Sequence, residues 1–280
     1  MMLYRDPAFQ SVDQVVAGLR HRLRRVDLLP ILHPLRTRRR VAVRTAAELY
    51  FKDDADRASA LQCVTSSIST GVGLTDYHLL HGYIISRRPS RVLEFGSGKS
   101  TLVMAQALYE AHCRVPGSSP GHLYSLEDIP RYHEDIKRLI PDRLKDYVTL
   151  IHSPKRESCW RNEVWGFNYA ELPSGRFDFV FVDGPTEYQD DQEGKRGKKG
   201  ACLDLLYLLE RDPDACLDVV VDQKFSSLDA YQSVLPRGTV RYDPVMNMGF
   251  MSCVRGRLLQ SRRPTIWLRH GDAWQLMGLS

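Results

Sequence analysis

Between Arg91 and Thr101 the chain reads Arg-Val-Leu-Glu-Phe-Gly-Ser-Gly-Lys-Ser-Thr, an apolar run suited to a buried strand that ends in two glycines and opens into a helix. No other segment restricts the fold so tightly. Residues without Cβ at positions 96 and 98 stand where the backbone must turn sharply and approach a ligand. The helix that follows would present its free N–H groups to that ligand.

The rest of the chain extends this unit. Short apolar runs at 91–95, 123–126, 148–151, 177–182 and 217–221 alternate with helical patterns at 101–112, 131–140 and 201–211, and a further helix is expected at 75–85 ahead of the first strand. Such alternation implies right-handed crossovers and a mainly parallel sheet covered on both faces. Residues 238–243 and 249–254 are two strand-like runs joined by a short loop, which predicts an antiparallel hairpin at the sheet edge. The expected fold is α/β: a three-layer, doubly wound, mainly parallel seven-stranded sheet with a C-terminal antiparallel hairpin and an N-terminal helical cap. Residues 1–70 are assigned to the basic cap or lid, 71–258 to the Rossmann-like domain and 259–280 to a basic, aromatic tail with no assigned place.

The glycine loop excludes as well as suggests. A phosphate-cradling loop ending in Gly98-Lys-Ser100 would need glycine at position 93, where Leu93 stands. The dinucleotide fingerprint would want Gly or Ala at position 101, where Thr101 stands. Residues 92–101 instead resemble the first motif of class I S-adenosylmethionine-dependent methyltransferases. Residues 123–127, ending in Glu127, resemble that family's second strand, and residues 177–185, Phe-Asp-Phe-Val-Phe-Val-Asp-Gly-Pro, its fourth.

The resemblance implies S-adenosylmethionine as cofactor. Glu94, Gly96, Ser97, Gly98, Ser100 and Thr101 would lie around its methionine moiety and ribose. The carboxylate of Glu127, an acceptor when ionised, would take both ribose hydroxyls, and Ser153, after the third strand, would stand where the family contacts adenine. Asp183 would face cofactor and substrate. Asp183 and Asp222 are the candidate catalytic residues, able to orient or deprotonate an acceptor. Plainer readings stay open: Glu94 as a cap on Ser100, Asp183 as a turn residue before Gly184-Pro185.

Asp183 and Asp222-Gln223 end strands that metal-dependent relatives use for Mg²⁺, but the amide is Gln and the accompanying basic residue is missing, so no metal is expected. His78 and His81, three apart on one helix face, lack a third ligand and are expected to line or pack. Residues 158–169, rich in aromatics, are expected to form either a lid over the substrate or a packed excursion of the core, and the mixed-charge run 190–199 a mobile solvated loop.

Charge is uneven. Residues 1–45 hold ten Arg against three Asp, a surplus of seven within a total of +5, so the remainder is slightly acidic. Val12, Val15, Val16, Leu19, Leu23 and Val26 form one apolar helical stripe with the arginines mostly off it. Two readings stay open, a solvated face and a surface for anionic lipid or RNA. Pro30 and Pro34 are expected to break this pattern before a second helical run at about 45–64. Six cysteines stand far apart with no metal or dithiol spacing and are expected as free thiols in a reducing compartment. No apolar run approaches the ~18–20 residues that span a bilayer, and no secretory signal is visible, so the protein is expected to be cytoplasmic.

The resulting expectation is methyl transfer from S-adenosylmethionine to an O or N nucleophile of a small-molecule, glycan or lipid-linked acceptor. DNA is not expected, since Asp183-Gly-Pro-Thr186 replaces the Asn-Pro-Pro-Tyr-type tetrapeptide of base-methylating enzymes. The alternatives are an NAD(P)-dependent oxidoreductase and a non-catalytic cofactor-binding protein that docks through its arginine-rich N-terminus.

Overall fold

The computed structural model describes residues 10–11, 29–69, 73–115, 117–190, 196–259, 265–270 and 273–278. In chain order its elements are β1 (Gln10–Ser11), α1 (Leu29–Lys52), α2 (Ala55–Thr65), α3 (Leu74–Arg87), β2 (Arg91–Phe95), α4 (Lys99–Cys113), β3 (His122–Glu127), α5 (Pro130–Leu139), a 3-10 turn (Asp142–Tyr147), β4 (Val148–His152), β5 (Lys155–Trp160), β6 (Val164–Tyr169), β7 (Phe179–Val182), β8 (Tyr188–Asp190), β9 (Arg196–Lys199), β10 (Ala201–Cys202), α6 (Asp204–Arg211), β11 (Leu217–Asp222), α7 (Phe225–Val234), β12 (Arg241–Asp243), β13 (Met248–Val254), β14 (Thr265–His270) and β15 (Ala273–Gly278).

The main sheet runs β1-β12-β13-β11-β7-β2-β3-β4. Strands β4, β3, β2, β7 and β11 are parallel, and β13 and β12 form the expected antiparallel hairpin. The two-residue β1 adds an eighth strand to the seven expected, pairing antiparallel to β12. From β2 the chain winds outward through β3 and β4, then returns to the other side of β2 as β7. That reversal opens a crevice at the C-terminal ends of β2 and β7, where α/β sheets of this kind bind ligands.

Apolar residues alternate sides along each strand, so the sheet is buried on both faces. Leu93, Phe95, Val180, Val182, Val219 and Val221 pack on one face with α6 and α7. Val92, Phe179, Phe181, Val220 and Phe250 pack on the other with α3 and α4. Phe51 of α1 and Val64 of α2 pack in turn on Tyr77, Leu102 and Val103.

Several expectations are corrected. Pro30 and Pro34 do not break the pattern: α1 runs from Leu29 to Lys52. Pro30 lies in the first turn, where its missing N–H has no helical partner, and Pro34, just beyond that turn, removes one i→i−4 bond without ending the helix. The helical run expected at 45–64 divides at residues 53–54, and the helix expected from Ala201 starts at Asp204, after a short strand that pairs with β6. Residues 158–169 form neither an open lid nor an irregular loop. They belong to the β5–β6 hairpin, and Trp160, Phe167 and Tyr169 are buried, so apolar burial decides in favour of the packed excursion. The run 190–199 is not a loop throughout, since β8 and β9 pair antiparallel, and the tail contains the β14–β15 hairpin. Cys216 and Cys253 are disulfide-bonded, with Cα atoms 4.4 Å apart; antiparallel pairing of β11 and β13 unites residues 37 apart, which no sequence spacing could reveal. The apolar stripe at 12–26 lies outside the described residues. Among the described residues no helix is long and apolar enough to cross a membrane.

Candidate active site

Glu94 is the organising residue of the glycine loop. The parallel register places it opposite Ser125, and its fully buried carboxylate accepts from Ser100 Oγ (2.5 Å), Thr101 Oγ1 (2.6 Å) and Ser125 Oγ (2.6 Å). These bonds tie the end of β2 to the first turn of α4 and to β3. Burial pushes the Glu94 pKa up to about 7, against the pull of the three hydroxyls. Ser97 Oγ meets Ser125 Oγ at 2.7 Å, and Gly98 N–H donates to Thr101 Oγ1. The side chains of Glu94, Ser97, Ser100 and Thr101 thus hold the loop's shape from beneath.

What the loop leaves for a ligand is backbone. Gly96 has φ of +96°, and a Cβ there would stand 2.8 Å from the carbonyl carbon of Asp183, so only glycine lets β2 and β7 approach so closely. The amides of Gly96 and Ser97 both donate to Leu126 O at 2.9 Å. Above Gly98 lies Ser69, whose Oγ would be 2.7 Å from a Cβ on that glycine. The segment carrying Ser69 is held by Asp135 of α5, which accepts from Ser67 Oγ (2.9 Å) and Ile68 N (3.0 Å).

Glu127 ends β3 beside this loop, buried at 4% exposure. Its Oε1 accepts from Ile129 N at 2.9 Å, and among the described residues no donor meets Oε2. Burial pushes its pKa up to about 8. Ser153 is placed differently: its hydroxyl donates to Glu171 O and accepts from Glu171 N, so it closes a loop.

Asp183 and Asp222 end the adjacent strands β7 and β11, one pairing step past Val182 and Val221. Burial holds both carboxyls above the usual range, with the charge of Asp183 adding to the effect on Asp222. Among the described residues no hydrogen-bond partner meets the buried Asp222 Oδ1. Lys224, two residues after Asp222, places Nζ 3.6 Å from Asp183 Oδ1. Burial works against the lysine's charge, but Asp183, Glu187 and Asp222 outweigh it and hold its pKa above the usual value. Asp76, in the first turn of α3, is the third acid of this group; its Oδ2 accepts from Gly73 N at 2.7 Å, and burial raises its pKa. Among the described residues no cluster of His, Cys, Asp and Glu has the arrangement to hold a metal.

A cavity of about 510 Å³ is lined by Asp76, by Gln223 next to Asp222, by Val41 and Met246, and by Arg40 and Arg44 of α1.

Lys224, Asp76 and Ser125 escaped the sequence reading. Ser125 left a signal, a lone hydroxyl inside an apolar strand. Asp76 left none, because which acid approaches Asp183 depends on how α3 packs. His81 lies away from the cleft, bonded to Tyr50 OH (2.9 Å) and Glu110 (3.1 Å) between α1, α3 and α4.

Residues 93–211 match the model of a family described as a methyltransferase domain. No curated protein matches. Among solved structures, cofactor-bound Rv0187 from MTB is 21% identical over 60% of this chain and 65% of that one, with a TM-score of 0.38, so the chain spans just under two thirds of its length. The SAM-bound O-methyltransferase TomG of Streptomyces achromogenes is 20% identical over 65% of this chain and 71% of that one (TM-score 0.40). The SAH-bound methyltransferase PaMTH1 of Podospora anserina is 15% identical over 71% of this chain and 95% of that one (TM-score 0.43).

Proposed function

We propose that this chain, whose residues 93–211 match a methyltransferase-domain family, is a class I S-adenosylmethionine-dependent enzyme that methylates an oxygen or nitrogen nucleophile of a small-molecule acceptor. The observation that carries the acceptor is the cavity of about 510 Å³ beside Asp76 and Gln223, a size that suits one small ligand.

The residues fit the methyl donor. The glycine loop at the end of β2, which opens into α4, and the free Oε2 of Glu127 beside it suit a nucleoside with ribose hydroxyls. When bound, that group supplies an electrophilic methyl on a sulfonium. Glu127 would hold the ribose, and Gly96, Ser97 and Gly98 would face the donor with main chain. The carboxylates of Asp183 and Asp222 suit a cationic neighbour and, with pKa values raised by burial, either can accept a proton from the acceptor's O–H or N–H. Lys224 keeps Asp183 charged and in place. Alignment of acceptor and donor supplies the larger part of the rate enhancement.

Calorimetric titration of SAH into the wild-type protein and Glu127→Ala tests the donor site. Binding to wild type with at least tenfold weakening in the variant is expected, about 1.4 kcal/mol. Equal binding in both, or none in either, removes the assignment.

A further inference from the structure

We propose that the acceptor carries an anionic group, which Arg40 and Arg44 bind in the cavity they line. The inference rests on the reading of that cavity as the acceptor site. The cavity lining includes two guanidinium groups of α1 four residues apart, hence on one helix face, together with Asp76 and Gln223.

The neighbours of these arginines are limited. Arg40 Nε reaches Val245 O at 3.4 Å, and Arg44 Nε pairs with Glu48 at 3.1 Å with the side chain 76% exposed. Each retains terminal N–H groups in the fork geometry that takes carboxylate or phosphate oxygens two at a time. Arg39, one position away, is committed to Asp243 instead. The acid in the same cavity does not compensate them, since Asp76 turns one oxygen to Gly73 N and burial disfavours its charge.

An acceptor seated in this space would set its anion against the arginines, with Val41 and Met246 also in the lining, so charge helps to select the substrate.

The test uses the full chain with saturating SAH and three probes, phenyl phosphate, benzoate and neutral phenol, titrated by ligand-observed NMR against wild type and Arg40→Gln/Arg44→Gln. Phenyl phosphate or benzoate is expected to bind wild type at least tenfold more tightly than phenol does, and to lose at least tenfold in the double variant. Retained SAH affinity shows that the variant is folded. Equal binding of anions and phenol, or anion binding unchanged by the double substitution, overturns the proposal. Binding to phosphatidylglycerol vesicles that depends on both arginines and that phenyl phosphate does not displace also overturns it, by placing the arginines on a membrane. Failure of SAH to bind wild type would instead count against the methyl-donor reading.

Discussion

Glu94 is a carboxylate whose chemistry is turned inward. Its two oxygens serve three hydroxyls, and the site gains from it a loop of fixed shape. The sequence allowed both a cofactor contact and a cap on Ser100, and the two could not be separated before the register placed Ser125 opposite Glu94. Burial raises its pKa from an ordinary 4.5 to about 7, which sets a sign. The folded state binds this proton more tightly than the unfolded chain does. The associated stability is complete below about 4.5 and disappears as pH rises through about 7. Glu94→Gln cannot ionise, so its stability should fall less than that of wild type between pH 4.5 and 8, with the two curves converging or crossing by up to about 3 kcal/mol. Asp222 titrates in both proteins, while Glu127, whose pKa the Glu94 charge helps to raise, shifts slightly in the variant. Thermal unfolding at half-unit pH steps reads the slope, and parallel curves would show that Glu94 is already ionised at low pH.

Among the elements, those that carry strand–loop–helix periodicity were legible. Strands β2, β3, β4 and β11 and helices α3 to α5 lie within about two residues of where pattern alone puts them, because binary patterning with a covered parallel sheet leaves little choice. Elements specified by partners were not. Strands β5, β6 and β10 form a second sheet whose aromatic residues read equally well as a lid, and the cysteines gave no hint of pairing. The Cys216–Cys253 bridge ties the start of β11 to the end of β13 across a 37-residue separation, restraining the unfolded chain through α7 and the hairpin. A closure of this length contributes about 2–4 kcal/mol. Cys216→Ser, or wild type in dithiothreitol, should therefore unfold several degrees lower than the oxidised protein in a calorimetric scan. The reductant should not alter Cys216→Ser, and an equal shift in both would assign the effect to another thiol.

Across the whole molecule, the region ahead of β2 meets the crevice at two places that sequence reading, which saw only a cap, could not locate. One is α1, with Arg40 and Arg44 on the cavity. The other is the segment 67–69, which crosses the glycine loop at Gly98 while Asp135 of α5 holds it by a hydroxyl and an amide. Asp135 also pairs with Arg138 at 3.0 Å, and these three donors keep its pKa below the usual range although burial opposes them. Hydrogen bonds to a charged acceptor contribute about 1.5–3 kcal/mol each, so Asp135→Ala should release the segment without touching the cofactor loop itself. If the segment keeps water from the loop when the donor is bound, the variant should bind SAH about tenfold more weakly and show faster hydrogen exchange at residues 67–69, while unfolding in the same cooperative transition. Faster exchange with unchanged SAH affinity would show that Ser69 rests on Gly98 without contributing to the site. The comparison separates a strap over the cleft from a mere connection between α2 and α3, because only the strap couples the order of three residues to the affinity of a ligand they do not themselves bond.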